Sequence, residues 1–228
     1  MFLSCRGSRL CCNGHVRASV WLVLVGSFAA LSLYARATGV RPDDDAVYQY
    51  ETGIGGIAQA LILLSLLYWL STGLSRREFF ALRRPDSWPR SLGLAFGALV
   101  TIFFGAYAIV SAAGAGDEQN LTPEGWDGSR AGAYALSFVA IVLVGPLTEE
   151  LLYRGAGVSL FLPYGTATAV IVTSVFFGLA HGLLLSLGAF VLFGLVTAVL
   201  RIRTRSIYPP LVVHVAFNTL GMIGPLLV

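Results

Sequence analysis

Apolar runs of near-bilayer length recur along almost the whole chain, and they limit what it can fold into. They cover residues 18–35, 53–72, 91–113, 132–152, 166–183, 186–200 and 208–227. Inside hydrocarbon a backbone must satisfy its own N–H and C=O groups, which a helix does within one segment. About 20 apolar residues let such a helix cross. The expected fold is therefore all-α: a polytopic membrane helix bundle of about seven transmembrane helices. The fifth and sixth runs are hard to separate. Composition agrees, because 56% of the 228 residues are hydrophobic and only 12% are charged, against about 25% in a soluble domain.

Loop charge sets an expected orientation. Arg6, Arg9 and Arg17 precede the first run, Arg76, Arg77, Arg83, Arg84 and Arg90 follow the second, and Arg201, Arg203 and Arg205 follow the sixth. The alternate loops carry Asp43, Asp44 and Asp45, then Asp117, Glu118, Glu124 and Asp127. By the positive-inside rule the N-terminus is cytoplasmic. The net charge of +3 is carried by arginine without any lysine and reads as topology, with no nucleic-acid partner. Cys5, Cys11 and Cys12 all precede the first run; they form no CxxC site and read as reduced thiols on a cytoplasmic tail. Ala35-Arg36-Ala37 resembles a signal-peptide cleavage site, but the length of the run and the spans after it favour a retained helix. The chain thus divides into a tail (1–17), helices without motifs (18–131) and a C-terminal core (132–228). It contains no internal repeat.

Six polar residues interrupt the apolar helices of that core: Glu149, Glu150, Arg154, His181, His214 and Asn218. An ionisable residue at membrane depth is costly and is by default a functional candidate. Residues i and i+4 share a helix face, so Glu150 and Arg154 meet and can neutralise each other. Glu149 then lacks a local partner, and a desolvated carboxylate beside an anion suits a general base. His181 closes a Phe-x-x-x-His turn. His214 and Asn218 share a face and could donate to an oxyanion or hold helices together. Pro163-Tyr164-Gly165 is the clearest turn between the first two motifs, and Glu149 and His181 each lie 16 residues from Gly165. A hairpin there sets both at one height, provided the fourth helix runs on past Arg154 towards Leu162. His214 fits this height only if the chain breaks or tilts near 182–188.

In this order the motifs resemble the CPBP family, also called the Abi family, which includes type II CAAX prenyl endopeptidases and bacteriocin-processing or immunity-associated membrane proteins. Glu149 to Arg154 fits EExxxR, Phe177 to His181 fits FxxxH, and His214 to Asn218 fits HxxxN; Pro146 and Ser206-Ile207-Tyr208-Pro209-Pro210 fit the flanks. The resemblance implies an intramembrane endopeptidase acting on a peptide or membrane-associated protein substrate within the lipid bilayer. Glu149 and His181 would activate water, His214 and Asn218 would hold the oxyanion, and Glu150 and Arg154 would support the site. Metal-free hydrolysis is the expected chemistry. A zinc-dependent version would use Glu149, His181 and His214 as a His₂Glu set. Two other readings stay open: a non-catalytic scaffold or immunity-type protein, and a transporter with a proton relay. The lysine-free, compact chain suggests a prokaryotic cell membrane.

Overall fold

The computed structural model describes residues 9–40, 43, 45–116, 118, 121, 123 and 125–227. Arg6, Asp44, Asp117, Glu124 and Cys5 lie outside these residues, as do the side chains of Arg9, Cys11 and Cys12. Seven principal helices follow one another: α1 (Arg9–Ala37), α2 (Tyr50–Leu70), α3 (Trp88–Ala113), α4 (the helical run Gly128–Tyr164), α5 (Thr166–Ala180), α6 (Leu187–Thr204) and α7 (Tyr208–Ile223). Among the described residues there is no strand. Six of the seven are long and apolar enough to cross a membrane; α5, with 15 residues, is the short one. Its fifteen residues rise about 22 Å, less than the ~30 Å of hydrocarbon.

The helices alternate in direction, and the charges sort accordingly. At one end, Arg17 donates to the carbonyls of Leu70 and Thr72, and Arg83 donates to the carbonyl of Arg205. At the other, Arg130 pairs with Asp45 and Asp127, and Glu118 accepts from the backbone N–H groups of Leu185 and Ser186. Those bonds hold Glu118 below the usual carboxylate range: burial pushes its pKa up, and the hydrogen bonds outweigh it.

The expected fourth run, 132–152, is part of a much longer element. α4 continues through Gly155 and Gly157 to Tyr164, as the hairpin argument required. It turns at Leu162–Tyr164, and Gly165, at φ 111°, leads into α5. Two stretches of α4, Val139–Val144 and Glu150–Gly157, are wound as π-helix. Proline explains the first. Pro146 has no N–H, and the Gly145 N–H reaches back five residues to the Ala140 carbonyl. The carbonyl of Ile141 is thereby left without a donor from its own helix, and Asn218 Nδ2 supplies one at 2.8 Å. The second stretch is gripped from α1, where the Trp21 indole donates to the Leu152 carbonyl at 2.9 Å. Trp21 is fully buried, so the first apolar run packs as a member of the bundle.

The segment between α2 and α3 differs most from its sequence. Its arginines mark it as a loop at the surface, yet Phe79, Phe80 and Ala81 are buried. A side chain at Gly155 would begin 3.0 Å from the Phe80 ring, so the segment enters the bundle at that level. The Ala81 carbonyl accepts the Ile207 N–H at 3.2 Å. The second contact ties the start of α7 to this buried segment. Residues 181–186 break the chain after α5, and His214 Nε2 comes within 3.8 Å of Glu149 Oε2, so the two lie at one depth.

Candidate active site

Glu149, His181, His214 and Asn218 line one cavity of about 470 Å³. α4 supplies Glu149, α5 ends at His181, and α7 supplies the other two. The wall is completed by Phe177, Phe190, Phe193 and Phe217, and by residues of α2 and α3. The cavity extends to Ala115, Gly116 and Leu121, at the acidic end of the molecule.

Each histidine is oriented by its Nδ1. His181 caps the end of α5: its backbone N–H turns to Gly178, and its ring Nδ1 lies 2.8 Å from the Phe177 carbonyl. A carbonyl only accepts, so Nδ1 carries the proton, and the neutral ring presents Nε2 as an acceptor. The ring stacks on Phe190 with centroids 4.0 Å apart. In His214, Nδ1 sits 2.9 Å from Glu150 Oε1, and Nε2 points to Glu149 Oε2 at 3.8 Å. With Glu150 as a carboxylate, Nδ1 again carries the hydrogen. Nε2 of His214 can then donate only when the ring is an imidazolium.

The Glu150–Arg154 pair expected from spacing forms, with Oε1 and Nη1 3.2 Å apart and side chains 0% and 1% exposed. It is not closed on itself. Oε1 of Glu150 also holds His214, and the 3.2 Å contact is not aligned as a hydrogen bond. Arg154 instead donates to Thr197, whose hydroxyl donates on to the Phe193 carbonyl, and the guanidinium lies 4.2 Å over the Phe177 ring. Thus Phe177, in the sequence only the first letter of FxxxH, floors the arginine and packs against both histidines. Counting Glu149 and Glu150 as anions and Arg154 as a cation leaves one negative charge. A protonated His214 would balance it.

Asn218 is only partly free to act. One hydrogen of its amide goes to Ile141; the second remains for a ligand. Oε2 of Glu149 is buried and accepts no hydrogen bond among the described residues. Thr52 and Gln59 of α2 also line the cavity. Sequence reasoning passed over both. Gln59 is a polar residue inside an apolar run, a usable signal, but it belongs to no motif.

Among the described residues no three His, Cys, Asp or Glu groups come together closely enough to hold a metal ion. The side chains present do not fit the His₂Glu arrangement.

Residues 131–220 match the family model of the type II CAAX prenyl endopeptidase Rce1-like proteins. This stretch is similar to an Rce1-like domain. The match covers less than half the chain and contains all three motifs; α1 to α3 lie outside it. A protein of Escherichia coli, named as an uncharacterized 24.3 kDa protein, is 29% identical over 166 residues, covering 69% of this chain and 76% of that protein. No solved structure matches. The long apolar helices support an integral membrane protein, and the family matched by residues 131–220 is one of endopeptidases.

Proposed function

We propose that the Rce1-like domain hydrolyses a peptide bond inside the membrane, with Glu149 as the general base. The observation that carries this reading is the cavity: three motifs from α4, α5 and α7 place Glu149, His181, His214 and Asn218 on its wall. An unpartnered carboxylate oxygen beside two oriented imidazoles is suited to taking a proton.

In this reading, water lies between Glu149 and His181 Nε2. As its oxygen attacks the scissile carbonyl carbon, its proton passes to Glu149. The carbonyl oxygen becomes an oxyanion and is met by Nε2–H of imidazolium His214 and by the second Asn218 N–H. Donors fixed before the reaction stabilise such charge well in a water-poor site. The tetrahedral centre then collapses, the C–N bond breaks, and Glu149 returns the proton to the leaving amine. Glu150 and Arg154 touch no reacting atom. Glu150 positions His214, and Arg154 with Thr197 holds Glu150 in place.

The arginine-rich end is assigned to the cytoplasm by the positive-inside rule. The cavity then opens towards the outer face, since it reaches Ala115, Gly116 and Leu121. The proposed substrate is a peptide or membrane-protein segment on that side, in the prokaryotic cell membrane that the lysine-free, compact chain suggests.

The test compares membranes carrying wild type with membranes carrying Glu149→Gln, His181→Ala or His214→Ala, by sequencing all peptide termini. Termini present only with wild type are expected. If all three variants leave the full set of termini unchanged, the peptidase reading is wrong and the scaffold reading takes its place. Proton flux in proteoliposomes lost with Glu149→Gln would favour transport.

A further inference from the structure

A peptide bound in the cavity brings its own N–H and C=O groups into a largely apolar space, where an unpaired one is costly. The Glu149 wall is polar, but its donors and acceptors are committed to the reacting bond. The α3 wall offers Ile102, Ala106 and Val110, with no polar side chain. What remains is α2. Thr52, Gly56 and Gln59 are spaced by four and then three residues, so they form one stripe on that helix, and all three line the cavity. The helix is held close to the catalytic one: a side chain at Gly53 would start 2.6 Å from Leu136 of α4. The stripe is therefore fixed in place beside the reacting groups.

Its polar groups are also unused. Elsewhere, helical threonines fold back onto a carbonyl one turn earlier: Thr101 on Gly97, Thr148 on Val144, Thr173 on Ala169 and Thr219 on Val215. Among the described residues, neither the Thr52 hydroxyl nor the Gln59 amide has a hydrogen-bond partner, whereas Gln49, outside the helix, donates to Asp43. A free amide near the middle of an apolar span is expensive unless something binds it.

We propose that Thr52 and Gln59 form a docking strip for the main chain of an extended substrate peptide, a reading that rests on the peptidase function above. The Gln59 amide offers one acceptor and donors, and so pairs with both the N–H and the C=O of the substrate backbone. Thr52 adds one hydroxyl. Seven residues of helix separate them by about 10 Å along the axis, which is about three residues of extended peptide. Recognition of this kind reads backbone rather than side chain and tolerates varied sequences. Both residues position the substrate and take no part in proton transfer.

The experiment uses the full chain in lipid nanodiscs and a quenched fluorescent peptide spanning a site whose cleavage depends on Glu149 in membranes. A matched set of peptides replaces one peptide link at a time by an ester, which removes a single N–H. Gln59→Leu, close in size and suited to an apolar span, is expected to raise KM about tenfold and leave kcat within about twofold, the signature of lost binding shared by ground and transition states. In the ester set, one position is expected to raise KM about tenfold for wild type and less than about twofold for Gln59→Leu. Thr52→Val gives a smaller rise of the same kind. If every ester affects wild type and Gln59→Leu alike, or KM is unchanged in Gln59→Leu while cleavage persists, the strip is overturned and the peptidase stands. If no terminus depends on Glu149, the peptidase reading fails and the strip falls with it.

Discussion

Glu149 and Glu150 are adjacent in sequence and stand in opposite surroundings. Glu150 belongs to a closed region. It is fully buried and shared between Arg154 and His214, and Arg154 is in turn held by Thr197 and floored by Phe177. Glu149 belongs to an open region, 31% exposed at its side chain and facing a cavity, with His214 at 3.8 Å. Neighbouring residues of a helix point about 100° apart, and this lets the two carboxylates part in this way. The closed region fixes position; the open one keeps its lone pairs for a substrate. Chemistry is thus placed next to rigidity instead of inside it.

Breaking the closed side should cost the most. Arg154→Ala leaves Glu150 buried with its cation gone, a loss of about 3–5 kcal/mol for an interior charge. Little detergent-extractable, folded protein is expected, read by size-exclusion yield. Glu149→Gln attacks the open side. Yield should stay near wild type while cleavage falls by about 10²–10⁴, the usual contribution of a general base. Equal yields for these two variants would erase the contrast between the regions. Asn218→Leu lies between them. It removes the donor to Ile141 with little change of size and no new charge, and a stranded carbonyl costs about 1–3 kcal/mol, measurable as a lower Tm in detergent. The mildest change is Trp21→Phe, which keeps a ring and deletes one hydrogen bond to Leu152, for about 1 kcal/mol; a small fall in Tm with cleavage retained is expected.

Much of this contrast was legible in the residues. Pro163-Tyr164-Gly165 already marked a turn, and the chain turns there; the equal spacing of Glu149 and His181 about Gly165 set both at one height in such a hairpin. The four-residue spacing of Glu150 and Arg154 implied their contact. What stayed hidden depends on contacts between distant segments. Periodicity reports which residues share a face, but not that Pro146 shifts the bonding register of α4 or that Asn218 satisfies the freed carbonyl. The descent of Phe79 to Ala81 into the bundle is masked by the arginines around it, because charge near those residues argues for a surface loop. Gln59 carried a signal, but without a partner residue it could not be told from an isolated polar substitution.

The bond between Asn218 and Ile141 also bears on how the chain is made. Its two ends are 77 residues apart, and a ribosome adding ~5–20 residues per second takes several seconds to cover that distance. For that interval α4 is already in place with its first π-turn unsatisfied, and His214, which travels on the same late helix, has not arrived to take Glu150. The proposed hydrolytic centre is therefore complete only when α7 docks, so on this reading a half-synthesised chain lies among its neighbours in the membrane without a working blade.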